Sequence, residues 1–156
     1  MTNNAIQPYE KGEGLLPGMV DCLFCKIAAG EIKALVIYKD QGALGILDIH
    51  PRSLGHTMVI PREHAETIID LPGGQLGDLF RAVAAVTALL KDRLRPDGFT
   101  IGINHGKASG QTMDHLHVHV IPRWKGDGGA SLHGVVSPPE GIARTLDEVH
   151  RKIVQQ

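Results

Sequence analysis

Three histidines alternate in the stretch DHLHVHVIP, residues 114–122: His115, His117 and His119. In a strand, residues i, i+2 and i+4 point to one face. The three rings would then form a row with roughly 7 Å between neighbours, and Leu116, Val118 and Val120 would face the other way. Histidine is not an ordinary strand filler, and three adjacent rings repel one another if protonated, so a purely structural row explains the pattern poorly. Two chemistries suit it. Imidazole is the commonest metal ligand, and alternate strand histidines can share one ion. Alternatively, an imidazole with its usual pKa of about 6.5 is largely neutral at pH 7, so a free ring nitrogen can attack phosphorus while its neighbours donate hydrogen bonds to phosphate oxygens.

The residues just upstream bear on that choice. INHGKASGQTMDH, residues 103–115, sets Asn104, Gly106, Ser109, Gly110, Gln111 and Thr112 ahead of the row. Glycine-rich backbone N–H groups and small hydroxyls suit an anion-binding turn, which a metal cage would not need. A nucleophilic imidazole must also be held in one tautomer through its other nitrogen. A backbone carbonyl is the expected acceptor, because strand alternation turns the nearest carboxylate, Asp114, away from His115 and His117.

A second constellation is the pair Cys22 and Cys25, spaced C-x-x-C. It has three readings: a redox pair, two inert thiols beside the core, or half of a zinc site completed by histidines from elsewhere. The first lacks a thioredoxin-like setting, and the third is favoured because C-x-x-C supplies two tetrahedral ligands.

These groups need a scaffold. A short helix is expected over Leu23–Ala29 with Gly30 as its stop. Strands follow at Ala34–Lys39 and Ala43–Leu47, joined by a turn at Asp40–Gly42, and at Thr57–Ile60, closed by Pro61. Residues 72–95 carry Leu76, Leu79, Phe80, Val83, Val86, Leu90 and Leu94 at helical spacing, with Asp70 as candidate N-cap and Pro96 and Gly98 beyond the end. A fourth strand is expected at Phe99–Asn104, then the histidine strand, a Gly-rich loop over 125–138 and an amphipathic helix over 140–153. Strands and helices in separate runs with short connections point to an α+β domain on an antiparallel sheet. Residues 1–20, poor in periodicity, are expected to form a flexible N-terminal arm, and 21–156 a single domain.

Bulk properties narrow the classes. The chain has 156 residues, 42% of them hydrophobic and 21% charged, with a formal net charge of −1 and nine histidines counted neutral. One globular domain with a substantial core fits that length. No strong basic field favours nucleic acid by charge. Two cysteines do not make a disulfide scaffold. Neither a signal peptide nor a run of 18 apolar residues is evident, so the expectation is a cytoplasmic protein with no membrane partner.

The motifs together resemble the histidine triad family. HLHVHVI matches the family's alternating histidine signature, GQTMDH its G-Q-[ST]-x-x-H lead-in, and LDIHPRSLGHTMVIPREH the segment in which an Asp, a Pro, a Gly-His and an I-P-x-x-H follow one another. The resemblance runs from about Asp21 to Arg123. It implies a five-stranded antiparallel sheet with helices packed against it, as a homodimer, and attack on the α-phosphate of a nucleotide conjugate. By position it makes His117 the nucleophile and gives His119 the phosphate oxygens and leaving group. Asn104, Gly110, Gln111 and Thr112 would hold the phosphates, Asp48 the ribose hydroxyls, and His56 would support the triad. It also implies a structural zinc ion on Cys22, Cys25, His64 and His115. IPRWKGDGG is similar to an I-P-R-x-x-G-D pattern of hydrolytic members, so Arg123 and Lys125 are candidates to meet a longer polyphosphate; a solvated strand end is the plainer reading. His50 departs from the Ser or Asn of many relatives. The small-molecule partners implied are adenosine phosphoramidates or dinucleoside polyphosphates, cleaved by a hydrolase or nucleotidyl transferase. A nucleotide-binding regulatory protein with negligible turnover, and a metalloenzyme with zinc in the histidine row, are the alternatives.

Overall fold

The computed structural model describes residues 21–137 and 146–154. The expected arm over 1–20 and the start of the expected last helix lie outside the described residues. Helix α1 is Leu23–Ala28, followed by strands β1 (Val36–Lys39), β2 (Ala43–Leu47) and β3 (Thr57–Pro61), helix α2 (Gly73–Leu94), strands β4 (Gly98–Gly102) and β5 (Val118–Arg123), and helix α3 (Leu146–Val154). The five strands form one sheet in the order β1-β2-β3-β5-β4, with every neighbouring pair antiparallel.

Strand alternation divides the interior into two layers. Ala43, Val59, Leu116, Val118 and Val120 pack with Leu79, Ala82, Val83, Val86 and Leu90 of α2. Leu44, Ile46 and Ile60 point through the opposite face and pack with Phe24 of α1. Gly45 lies on the α2 face of β2. A Cβ there would sit 2.9 Å from Val86 Cγ2 and 3.1 Å from Tyr38 Cβ, so the missing side chain lets the helix lie close against the sheet.

Helix α2 runs 22 residues, close to the expected span, but two details differ. Asp70 does not cap it. Its Oδ2 accepts hydrogen bonds from the backbone N–H of Thr67 (2.9 Å) and from Thr67 Oγ1 (2.6 Å), and Pro72 holds the N-cap position without a side-chain bond. Phe80, in register with the apolar face, is 44% exposed. The helix ends at Arg95, which takes a left-handed conformation at φ 53°, ahead of Pro96, which cannot continue it. In the 125–137 segment, residues Leu132–Gly134 form one 3-10 turn. Helix α3 buries none of its residues among those described.

The histidine row departs from a regular strand. Ladder pairing of β5 begins only at Val118; His119 opposes Met58 on β3 and Gly102 on β4. His115 and His117 lie on the extended approach to the strand. The physical reason is a change of partner: Leu116 N–H donates to Ala65 O at 2.6 Å, so this stretch is bonded to the segment after β3 rather than to a strand. The facing still alternates, with Leu116, Val118 and Val120 in the α2 layer.

Candidate active site and metal centre

His117 is 5% exposed, and its Nδ1 lies 2.7 Å from the carbonyl oxygen of His115. A carbonyl can only accept, so Nδ1 carries a proton, and in the neutral ring the lone pair falls on Nε2. This is the backbone acceptor expected from the sequence. The His117 and His119 rings stand 5.0 Å apart, edge to face at 83°.

The state of His119 follows from a chain of three groups. Arg52 N–H donates to His56 Nδ1 at 3.1 Å. His56 must therefore carry its proton on Nε2, which lies 2.9 Å from His119 Nδ1. His119 Nδ1 then accepts, and its own proton sits on Nε2. Asp48 Oδ2 is 3.5 Å from His56 Nδ1. Because that nitrogen already accepts the shorter Arg52 bond, the Asp48 contact is an ion–dipole one in the neutral protein. Burial holds both rings neutral. It pushes His119 down to about 4, helped by the nearby His117 and His56 and opposed by Asp48. Burial also lowers His56, again against Asp48.

His115, fully buried, faces the other way. Its Nε2–H donates to Pro61 O at 3.0 Å, which leaves Nδ1 bare toward Cys22 Sγ (3.3 Å) and Cys25 Sγ (3.5 Å). Cys25 Sγ is also 3.3 Å from His64 Nδ1. One ligand atom from each of Cys22, Cys25, His64 and His115 lies within 4.8 Å of the others. Two thiols and two imidazoles converging at that range fit a tetrahedral zinc ion with no position left for substrate. The Pro61 carbonyl supplies the outer hydrogen bond that aims a ligating imidazole. Burial pushes His115 down to about 4, which keeps it in the neutral form that binds metal. Burial, the hydrogen bond to Cys22 and the charges of Cys22 and Glu63 push the Cys25 thiol up to about 12, the behaviour of a buried sulfur that ionises only against a cation.

The lead-in loop is braced rather than open. Gln111 is buried, and its side chain accepts from Gly106 N–H (2.7 Å) while donating to Glu66 O (2.8 Å) and Met113 O (2.9 Å). Those bonds make the amide a brace of the loop. Gly110 has φ +92°, and a Cβ placed on it would lie 3.8 Å from Asn104 Nδ2, so Asn104 and Gly110 are neighbours. Thr112 is exposed. Asp48 Oδ1 accepts His50 N–H at 2.8 Å.

Arg123 is tied to its own loop. Its guanidinium grips both oxygens of Asp127 at 2.6 and 2.7 Å and donates to Thr100 Oγ1 and Ala130 O, each at 3.0 Å. It organises the glycine-rich loop. His50, His105, His133 and His150 are exposed.

Three contributors went unseen in the sequence. Phe24, between the two cysteines, stands edge-on to both His115 and His117, with centroids 5.7 and 5.5 Å away; its place inside C-x-x-C was the available signal. The Pro61 carbonyl and the Arg52 N–H carry no side-chain signal at all.

This geometry is that of a known family. Residues 29–126 match the HIT domain, and the chain belongs to the HIT domain family. It is 41% identical over 132 residues to an uncharacterised HIT-like protein of Methanocaldococcus jannaschii, covering 85% of this chain and 98% of that one. It is 32% identical over 136 residues to the adenosine 5'-monophosphoramidase of Schizosaccharomyces pombe, covering 86% and 99%. Among solved structures, a zinc-bound histidine triad family protein from Mycobacterium smegmatis superposes with a TM-score of 0.64 at 41% identity, covering 72% of this chain and 82% of that one.

Proposed function

We propose that the protein cleaves nucleotide conjugates at the α-phosphate through a nucleotidyl-histidine intermediate, with adenosine phosphoramidates or dinucleoside polyphosphates as substrates. The observation that carries this reading is the 2.7 Å bond from His117 Nδ1–H to His115 O. In the neutral ring it places the lone pair on Nε2, beside the proton-bearing imidazole of His119 with ring centroids 5.0 Å apart. His117 Nε2 attacks phosphorus, the bond to the leaving group breaks, and His119 Nε2–H donates to the departing atom. Water then attacks the same phosphorus and gives a proton back to His119 Nε2, the P–N bond to His117 breaks with its electron pair returning to Nε2, and the nucleoside monophosphate leaves. Splitting one displacement into two lowers each barrier, and the remaining demand is positioning and charge stabilisation. Asn104, Gly110 and Thr112 line the phosphates, Gln111 holds that loop in shape, and Asp48 Oδ2 accepts the ribose hydroxyls. That the S. pombe relative is an adenosine 5'-monophosphoramidase supports the phosphoramidate class.

Zinc on Cys22, Cys25, His64 and His115 cross-links α1 to the catalytic segment and supplies no reacting group. The chain acts as a homodimer in this reading, supported by β4, an edge strand of the sheet with Ile101 36% exposed. The reduced thiols fit a cytoplasmic setting.

The test is a short quench of wild type and His117→Ala with adenosine conjugates, read by intact-mass spectrometry. An AMP-sized adduct on wild type and none on the variant is the expected result. No adduct and no released AMP across the panel would reject the enzyme reading and leave a nucleotide-binding protein.

A further inference from the structure

We propose that the Cys22–Cys25–His64–His115 centre positions the nucleophile as well as cross-linking the chain, and that oxidation of its two thiols to a disulfide switches His117 off. The inference rests on His117 being the nucleophile. The centre and the nucleophile share one residue. The ring of His115 faces both sulfurs through Nδ1 and is pinned to Pro61 O through Nε2, while the carbonyl of the same residue holds His117 Nδ1–H at 2.7 Å. Any reorientation of the His115 ring that drags its backbone moves the acceptor that fixes the His117 Nδ1 proton.

A second link runs through α1. This helix has six residues, far too few to hold itself in water. It is anchored by Cys22, which occupies the N-cap with Sγ accepting Cys25 N–H at 3.5 Å, by Cys25, and by the buried ring of Phe24. That ring is edge-on to His115 and His117 alike. The state of the two sulfurs therefore sets the wall against which the His117 ring rests.

The thiols are arranged to react. Cys22 is half-buried and Cys25 buried, so an incoming oxidant reaches Cys22 first, and Cys25 is one helical turn away to resolve it. With a peroxide as oxidant, the Cys22 thiolate takes one oxygen as a sulfenate. The Cys25 thiolate then attacks that sulfur. In total two thiolates, one hydrogen peroxide and two protons give one disulfide and two waters. An S–S bond of about 2.05 Å withdraws both anionic ligands together. His64 and His115 alone then face the ion, which leaves as the dication, and His115 Nδ1 loses both sulfur partners.

The experiment uses the full-length, zinc-loaded chain with graded hydrogen peroxide. Three quantities are followed: loss of two hydrogens by intact mass, zinc transferred to a chromogenic chelator, and the tautomer of His117 from its ring ¹⁵N and ¹H resonances. All three should change together and return with dithiothreitol plus zinc. The His117 signal should pass from a single Nδ1–H form to an exchanging mixture, and the rate of adduct formation should fall by about tenfold or more, equivalent to about 1.4 kcal/mol. Cys22→Ser should form no internal disulfide, and its His117 signal, whatever it is before peroxide, should not change on adding peroxide. Wild type, oxidised from the folded state, gives the answer even if that variant fails to fold. A disulfide with zinc released but an unchanged His117 signal would refute the positioning role. Thiols that stay reduced at peroxide levels that oxidise methionine would refute the switch. The ring resonances need no substrate, so a failure of the nucleotidyl-transfer reading shows separately, as absent adduct with the oxidative response intact.

Discussion

Replacing His56 by asparagine and by glutamine separates the two hydrogen bonds made by its ring. Nδ1 accepts from Arg52 N–H at 3.1 Å, and Nε2–H donates to His119 Nδ1 at 2.9 Å. An asparagine Oδ1 reproduces the first position and cannot reach His119. A glutamine Nε2 reproduces the donor at the second and gives up the first. Each variant strands one group in a site where His56 is 3% exposed, so each should lose about 1–3 kcal/mol of stability, measurable by urea denaturation. Their effects on turnover should diverge. His119 keeps its proton on Nε2 only while something donates to Nδ1. With glutamine that bond survives, and release of AMP should stay within about threefold of wild type. With asparagine the ring is free to place its proton on Nδ1 and point a lone pair at the phosphate. The lost charge-assisted hydrogen bond, worth about 1.5–3 kcal/mol, converts to a fall of roughly tenfold to a hundredfold. Ring ¹⁵N shifts of His119 check the tautomer directly. Equal turnover in the two variants, or an unchanged His119 tautomer in His56→Asn, would refute the reasoning.

Other outcomes follow from single features of the molecule. Gly45→Ala drives a Cβ to 2.9 Å from Val86 Cγ2 and should cost about 1–3 kcal/mol by overpacking, seen in chemical denaturation with zinc stoichiometry unchanged. His115 and His119 are both held to about 4 by burial, so between about 6.5 and 4 the unfolded chain binds more protons than the folded one. Stability should be full above about 6.5, fall as pH drops through that window and level off below it, in a thermal-melt series in chelator; a flat profile would contradict the burial argument. Zinc at a hundred times its dissociation constant should stabilise the metal-free chain by about 2.7 kcal/mol, with one ion per chain, and Cys22→Ser/Cys25→Ser should abolish the gain.

Much of the site could be read along the chain because its residues cluster in a few short segments. The alternation of His115, His117 and His119 with Leu116, Val118 and Val120 is a local pattern, and period two decides which side chains share a face wherever the backbone is extended. The 72–95 helix was legible for the same reason at period 3.6, and Phe80 misled because one residue at the edge of an apolar stripe can face either the sheet or water. The C-x-x-C spacing of Cys22 and Cys25 suggested two ligands, and the family resemblance added His64 and His115; the fold brings the four together.

Tertiary structure decided what each group does with its protons and its partners. His117 carries a proton on Nδ1 because a carbonyl two residues away accepts it, and His119 is a donor because Arg52, 67 positions earlier in the chain, presents an N–H to the ring of His56. Gln111 braces its loop because Glu66 O and Met113 O come within its reach. Arg123 is spent on Asp127 because the loop folds back. Backbone carbonyls and amides have no letter in a sequence, and which of them meets a given ring depends on contacts between segments far apart in the chain. Composition and spacing therefore determined which side chains this protein could use for chemistry, while the fold alone determined which ring nitrogens meet backbone carbonyls and amides and which four side chains converge as a candidate metal site.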